Sequence, residues 1–258
     1  MDAQAEPTMD AYADLVRFYD DAYAQEDPAD AARYARWRAL GAVGKAEHVL
    51  ALCSRTGLSP TSALEIGCGD GALLCELRAG GFGGRLEGVE ITEAAVEIAG
   101  ERAEIDRVRC YDGTHLPARD GEYDLGILSH VLEHVPDPPA LLAEAARACG
   151  AVVMEVPLEA NVSARRASKR EHAEEVGHLQ RLSRADARTI VARAGLRVAC
   201  ELEDPLPRSV QTFFATTALA RARSSAKWAL RTGLHRLAPG LARRLFTVHY
   251  ACLCLPAA

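Results

Sequence analysis

The chain has 258 residues, 49% hydrophobic and 26% charged, which is the balance of an ordinary globular protein with a substantial core. The first residues, MDAQAEPTMD, lack the basic and apolar regions of a secretory signal, and no apolar run approaches the roughly 20 residues that cross a bilayer. We therefore expect a cytoplasmic protein without a membrane partner, and the net charge of −6 argues against a nucleic-acid partner.

The N-terminal part of the chain is predicted to be helical. Residues 8–24 and 28–53 both carry apolar and aromatic side chains at helical spacing. We assign residues 1–56 to an N-terminal helical cap and residues 57–258 to the main domain. Four aromatic residues of the cap would either cover a ligand or pack in the core: Tyr12, Tyr19, Tyr34 and Trp37.

From residue 62 onward, short apolar runs alternate with helical stretches. The runs predict strands at residues 62–67, 85–91, 105–111, 123–129, 151–157, 196–202 and 245–255. A strand followed by a helix, repeated along the chain, is typical of parallel strands joined by right-handed crossovers. The sequence therefore predicts an open α/β sheet with helices on both faces.

Two later segments are polar or basic. Residues 158–182 are polar and irregular, which predicts a long functional loop or lid, with a basic cluster at Arg165, Arg166, Lys169 and Arg170. An insert at about residues 206–244 contains no acidic residue and has helical periodicity. Leucines lie on one face of its predicted helix, and a basic stripe on another is formed by Arg223, Lys227 and Arg231. The stripe is either a solvated face or a contact for an anionic substrate or an acidic carrier protein.

The first strand-to-helix junction carries the sequence LEIGCGDG, residues 64–71. Three glycines let the backbone turn sharply and approach a ligand at the carboxyl end of a strand. The spacing G-x-G-x-G differs from the dinucleotide pattern G-x-G-x-x-G, and Glu65 and Asp70 would repel a pyrophosphate but attract a cation. Glu90, at the end of the second strand, can accept hydrogen bonds from a ribose. The pattern favours a nucleoside with a cationic group over a nicotinamide dinucleotide.

The glycine motif, the acid after the second strand and VLEHVPDP after the fourth together resemble class I S-adenosylmethionine-dependent methyltransferases of the small-molecule type. The resemblance covers about residues 60–204. It implies a Rossmann-like sheet of seven mostly parallel strands with an antiparallel last strand, and S-adenosylmethionine as cofactor, with S-adenosylhomocysteine as product. The implied cofactor-binding residues are Glu65, Gly67, Cys68, Gly69, Gly71, Glu90, Ile91, Asp112, Gly113, Thr114, Ser129 and His130.

The stretch SHVLEHVPDP also contains H-x-x-E-H, a ligand spacing found in zinc peptidases. A zinc site of that kind needs a continuous helix, but a buried strand precedes His130, and Pro136, Pro138 and Pro139 would interrupt a helix after His134. We therefore interpret the stretch as a strand-to-helix turn and expect no metal.

Methyl transfer to oxygen usually needs a base, and histidine is the natural base near neutral pH. His178 in GHLQRLS is the first candidate, followed by His130 and then His172, whereas the other five histidines are expected to be structural. The acceptor is expected to be an oxygen or nitrogen of a small molecule. Twenty-seven arginines against three lysines suggest a high-GC bacterium, hence natural-product or tailoring metabolism. A non-methylating protein that binds S-adenosylmethionine and a protein or RNA methyltransferase remain alternatives.

Overall fold

The computed structural model describes residues 9–23 and 27–257, with the side chains of residues 9–11, 21, 22, 170, 172, 174 and 175 outside the described part. The helices are α1 (Met9–Tyr23), α2 (Pro28–Thr56), α3 (Ala72–Ala79), α4 (Glu93–Gly100), α5 (Pro138–Ala148), α6 (Ala167–Glu175), α7 (Arg184–Arg193), α8 (Arg208–Thr212), α9 (Ala218–Leu237) and α10 (Pro239–Leu245). The strands are β1 (Ser62–Ile66), β2 (Arg85–Glu90), β3 (Arg107–Cys110), β4 (Tyr123–Ser129), β5 (Cys149–Pro157), β6 (Leu196–Asp204) and β7 (His249–Pro256).

The strands form one seven-stranded sheet in the order β3-β2-β1-β4-β5-β7-β6. Neighbours from β3 to β5 are parallel, whereas β7 is antiparallel to both of its neighbours, β5 and β6. The last strand therefore inserts between two earlier ones, and α8, α9 and α10 fill the connection that leads to it. This confirms the predicted mostly parallel sheet with an antiparallel last strand.

Apolar layers cover the two faces of the sheet. Along β5, Val152, Met154 and Val156 belong to one buried cluster, while Ala151 and Val153 belong to the other, because successive side chains of a strand point to opposite faces. Helices α5 and α7 close the first cluster, and α2 and α3 close the second. Among the described residues, no helix combines the length and hydropathy needed to cross a lipid bilayer.

The prolines after the fourth strand begin a helix and do not interrupt one. Pro138 and Pro139 occupy the first turn of α5, where the missing N–H of proline costs no hydrogen bond. The side chain of Asp137 caps this turn by accepting the N–H of Ala140 at 3.1 Å. His134 lies in the turn between β4 and α5, so the predicted strand-to-helix turn is confirmed. The expectation that the prolines interrupt a helix was wrong.

One expectation for the later segments also needs correction. Residues 158–182 are not one irregular loop, because a 3₁₀ turn at Ser163–Arg165 and the helix α6 lie within them. In α9 the predicted leucine face is largely exposed, since Leu230 and Leu237 are 65% and 88% exposed. The sequence pattern identified the helix, but it did not show which of its faces meets the protein.

Candidate active site

A cavity of about 550 Å³ opens at the carboxyl ends of β1, β2, β4 and β5. This volume lies within the range of small-molecule sites, and the position is the switch point where the strand order reverses around β1 and β4. Helices α1 and α2 contribute lining residues to the cavity. Tyr12, Tyr19 and Trp37 line it, whereas Tyr34 packs against Phe214 outside it.

The glycine loop joins β1 to α3 along one wall of the cavity. Gly67, Gly69 and Gly71 have φ values of 71°, 53° and 74°, a region that disfavours residues with a Cβ atom. A Cβ at Gly67 would also lie 2.7 Å from Cγ2 of Val131. Only glycine therefore fits these three positions without strain. The bare backbone of the loop and the buried Cys68 face the cavity.

Glu65 projects from β1 into the same wall. Its carboxyl group is almost fully buried, and Oε2 has no hydrogen-bond partner among the described residues. Burial raises its pKa well above the usual range, and Asp70 and Glu90 raise it further, although the ammonium of Lys45 opposes the shift. An unpartnered buried carboxyl group of this kind is suited to a cationic ligand.

The other two acids of the motif have partners within the protein. Asp70 is paired with Arg38, whose Nε lies 2.8 Å from Oδ2, and more distantly with Arg102. Asp70 lines the cavity as expected, but these cations offset the negative charge that it brings to the ligand site. Glu90 ends β2 and lines the cavity, where its carboxylate accepts the backbone N–H of Gly69 at 2.9 Å and that of Ile91 at 2.6 Å. Glu90 thus ties the glycine loop to the second strand.

The loop after β3 meets the cavity through the backbone of Gly113 and not through the carboxylate of Asp112. Gly113 lines the cavity at φ 85°, and a Cβ there would lie 2.8 Å from the ring of Tyr12. Asp112 and Thr114 are not among the lining residues, because Oδ1 of Asp112 accepts the backbone and hydroxyl hydrogens of Thr114, both at 2.8 Å. The expected adenine contact by Asp112 stays a prediction.

His130 and His134 of the H-x-x-E-H stretch have separate partners. Nδ1 of His130 lies 3.1 Å from Oε1 of Glu133, whereas Nδ1 of His134 lies 2.7 Å from the hydroxyl of Tyr19 and 3.1 Å from the carbonyl of Gly177. Although burial opposes ionisation, both imidazoles together lower the pKa of Glu133 to about 2. Glu133 and His134 thus tie the turn to the segment after α6 and to α1.

Ser129 and His130 end β4 at the cavity wall, beside a group of histidines that the sequence did not reveal. His48 and His249, which we expected to be structural, line the cavity together with Glu155. Nδ1 of His48 lies 2.9 Å from Oε2 of Glu155, and its Nε2 lies 3.3 Å from Asp204. The only sequence signal for this group was a glutamate inside the otherwise apolar strand VVMEVP.

His178 also lines the cavity and has an acidic partner. Its Nδ1 lies 2.7 Å from Oε2 of Glu159, a pairing that orients the ring and leaves Nε2 free of that contact. A histidine held by a carboxylate in this way is the usual arrangement of a general base. The side chain of His172, our third candidate, lies outside the described part of the chain.

Cations gather at the end of the cavity formed by α6 and α9. Lys169, Lys227 and Arg231 are lining residues, and burial together with Arg231, Lys169 and Arg166 lowers the pKa of Lys227. Among the described residues, none of these four cations has a carboxylate partner within ion-pair distance. Arg223, the first member of the predicted stripe, is exposed and does not line the cavity.

Comparison with known proteins points to one family. Residues 34–201 match a family described as a methyltransferase domain. The chain is 33% identical over 101 residues to a ubiquinone biosynthesis O-methyltransferase from Thiobacillus denitrificans, covering 36% of this chain and 42% of the relative. It is 30% identical over 103 residues to the protein of the same name from Acinetobacter baylyi, covering 38% and 41%. The matches thus span about two fifths of the length of these relatives.

Solved structures share the fold over nearly the whole chain. Geranyl diphosphate C-methyltransferase from Streptomyces coelicolor A3(2) superposes with a TM-score of 0.60 at 19% identity, covering 99% of this chain and 100% of the other. Magnesium protoporphyrin IX methyltransferase from Synechocystis PCC 6803 gives 0.58 at 15% identity, covering 96% and 100%. At these identities the likeness concerns the fold alone.

Proposed function

The chain belongs to the class I S-adenosylmethionine-dependent methyltransferases, and on this basis we propose that it methylates an oxygen or nitrogen atom of a small anionic acceptor. Family membership removes the nicotinamide alternative. The observation that carries the proposal is that a single cavity combines a buried acid with one unpartnered oxygen, a carboxylate-held histidine and a group of cations that have no carboxylate partner among the described residues.

The cavity wall formed by Glu65 and the glycine loop fits S-adenosylmethionine. A buried carboxyl group with one unpartnered oxygen and a bare glycine backbone suit a cationic amino-acid moiety. When bound, this cofactor supplies an electrophilic methyl group on a sulfonium. Glu65 would hold the ammonium group, Glu90 the ribose hydroxyls and the backbone at Gly113 the adenine. The remaining predicted contacts, from Cys68, Ile91, Asp112, Thr114, Ser129 and His130, are part of the same proposal.

For a hydroxyl acceptor, His178 is the base that the geometry supports. Nε2 of His178 would take the hydroxyl proton as the acceptor oxygen forms its new bond to carbon, and Glu159 would stabilise the resulting imidazolium through Nδ1. His130 is less suited to this role, because Nδ1 already contacts Glu133 and Nε2 faces Glu155 at 3.6 Å. Alignment of the acceptor and exclusion of water would supply much of the remaining acceleration.

The cations at the α6–α9 end support an anionic acceptor. Lys169, Lys227 and Arg231 come from two different helices and converge without a carboxylate partner among the described residues, so a bound anion would relieve their mutual repulsion. A carboxylate or phosphate on the acceptor would fit this end, while its nucleophilic atom approaches His178. An acceptor carried on an acidic carrier protein would meet the same cations from outside. The arginine-rich composition favours natural-product metabolism as the setting, and a cytoplasmic location is part of the same proposal.

The test is a labelled-methyl assay on a panel that pairs each carboxylated or phosphorylated metabolite with its neutral analogue. Neutralising the end of the cavity with Lys227→Gln and Arg231→Gln should raise the acceptor KM about tenfold or more, less so at high salt, without changing cofactor affinity. Arg223→Gln is the matched control, because it removes a charge from the same helix away from the cavity. Equal turnover of charged and neutral analogues would contradict the anionic acceptor.

The base is tested separately. His178→Asn should lower kcat by about 10²- to 10⁴-fold for a hydroxyl acceptor and leave the affinity for S-adenosylhomocysteine unchanged. If the wild-type protein binds S-adenosylhomocysteine but transfers no label to any acceptor, the non-methylating alternative replaces this proposal. Transfer to proteins or RNA instead of metabolites would favour the macromolecular alternative.

A further inference from the structure

His130, Glu155 and His249 converge on one point of the cavity wall. They come from neighbouring strands, since His130 follows β4, Glu155 lies in β5 and His249 begins β7. One ligand atom from each side chain lies within 4.8 Å of the other two. Oε1 of Glu155 is 3.6 Å from Nε2 of His130 and 3.4 Å from Nδ1 of His249.

Two of these three atoms lack a hydrogen bond within the described part of the chain. Oε1 of Glu155 and Nε2 of His130 are both buried and unsatisfied, and the Glu155 side chain is only 2% exposed. Buried polar atoms without partners are rare in proteins because their lost hydration is not compensated. A tetrahedral ion with bonds of about 2.0–2.2 Å would hold its ligand atoms roughly 3.3–3.6 Å apart, which matches both contacts.

We propose that His130, Glu155 and His249 form a binding site for a divalent transition-metal ion of the zinc type. Two histidines and one carboxylate are a common ligand set for zinc sites that keep a coordination position open. The three residues line the cavity, so the open position would face the acceptor and would suit a hydroxyl or carboxylate oxygen. This proposal replaces our expectation of no metal, and His134, the second histidine of H-x-x-E-H, takes no part in the site.

A second set of contacts orients the ligands. The Nδ1 atom of His130 lies at an ion-pair distance of 3.1 Å from Oε1 of Glu133, while Nε2 of the same ring faces Glu155. The other oxygen of Glu155 lies 2.9 Å from Nδ1 of His48, which in turn contacts Asp204. Metal-binding histidines and carboxylates are usually held by such outer partners.

The backbone of His130 supports the same assignment. With φ at 59°, His130 is the only residue other than glycine that has a positive φ in the described ranges. Strain of this kind persists where surrounding contacts enforce it, and it is concentrated at functional sites. The N–H of His130 donates to the carbonyl of Glu155 at 2.9 Å, so the strained turn fixes one proposed ligand directly beside another.

The charges around the site favour a dication. Glu133 and Glu155 are two buried carboxylates in contact with neutral or singly charged imidazoles, and Asp204 adds a third acid behind His48. Lys45 acts against a bound cation, because its charge is felt at His130. The carboxylates of Glu133 and Glu155 nevertheless contact the imidazole of His130 directly, and ion pairing alone leaves Oε1 of Glu155 without a hydrogen bond.

The test is a calorimetric titration of the full, chelator-stripped chain with Zn²⁺ at neutral pH. We expect one site with a Kd in the micromolar range or tighter, and a raised Tm when Zn²⁺ is present. Glu155→Gln and His249→Asn should each weaken binding at least tenfold and abolish most of the Tm increase. His235→Asn is the control, because it removes a histidine of α9 that does not line the cavity.

A neighbouring group formed by Glu133, His134 and His178 is the main competitor for the ion. Loss of Zn²⁺ binding in His134→Asn with retention in His249→Asn would place the ion there and overturn the proposal. Binding weaker than about 100 µM would also overturn it. If variants fail to fold, Co²⁺ bound to the wild-type chain gives an independent result, since strong d–d absorption supports a tetrahedral site and weak absorption contradicts it. If the chelator-stripped chain binds S-adenosylhomocysteine but not Zn²⁺, the proposed metal site fails while the proposed methyl transfer still stands.

Discussion

Glu65→Gln is predicted to weaken cofactor binding without destabilising the unligated protein. The wild-type carboxyl group is buried, one of its oxygens has no partner among the described residues, and burial raises its pKa well above the usual range. An amide of the same shape removes the cost of ionising this group in the free protein. The ligand's ammonium, however, loses a charge-assisted hydrogen bond worth about 1.5–3 kcal/mol, so affinity should fall roughly 10- to 150-fold.

The pH dependence of this effect has a definite sign. Because the folded protein raises the pKa of Glu65, the native state holds a proton that the unfolded chain releases above about pH 4.5, the ordinary value. The free energy of unfolding of the unligated wild-type protein should therefore fall as pH rises above that value. The decline should be smaller in Glu65→Gln, and cofactor affinity of the wild-type protein should increase over the same pH range.

A matched substitution on the neighbouring strand should give the opposite pattern. Glu87 is also buried, but it accepts the hydroxyl of Tyr123 at 2.8 Å and is paired with Arg85 and Arg109 away from the cavity. Glu87→Gln should lower the free energy of unfolding by about 1–3 kcal/mol and leave cofactor affinity unchanged. Chemical denaturation and titration with S-adenosylhomocysteine measure both quantities. Unchanged affinity in Glu65→Gln, or equal destabilisation by the two variants, would refute the reasoning.

Three further substitutions test local features of the fold and the site. Gly67→Ala should lower both Tm and cofactor affinity, with about 1–2 kcal/mol from the left-handed backbone alone, because its Cβ would also meet Val131. Asp124→Ala should cost about 1–2 kcal/mol in a denaturation experiment, since the carboxylate accepts the backbone and hydroxyl hydrogens of Thr61 at 2.7 Å. These bonds lower the pKa of Asp124, so the difference from wild type should shrink as acid protonates it. Ser183→Ala should cost about 1 kcal/mol by breaking the capping box of α7, and an unchanged Tm would contradict that role.

The sequence was a reliable guide wherever chemistry and structure are both local. Glycines at three nearby positions predict a sharp turn after β1, and the structure has a positive φ at each of them. Short apolar runs predict the strands, because a strand that is buried on both faces of the sheet needs apolar side chains along its whole length. The segment that joins β6 to β7 could be assigned to helix, but the division of the chain at residue 56 into cap and main domain stays a prediction.

Side-chain partners were the part that the sequence could not supply. Asp70 has no visible partner in the sequence motif, but in the structure it is paired with Arg38, 32 residues away. Helix α9 turns Lys227 and Arg231 toward the cavity, while Leu230 and Leu237 are exposed. His48 and His249 are separated by most of the chain, and they meet at Glu155 only because β7 inserts next to β5.

By itself the sequence determined the fold class and the glycine turn, because backbone periodicity and glycine conformation depend on neighbouring residues, and its resemblance to a known family supplied the cofactor class. The tertiary structure decided which charges remain without partners and which histidines share a carboxylate. Those properties depend on strand order and helix rotation, which bring together residues that no local pattern connects.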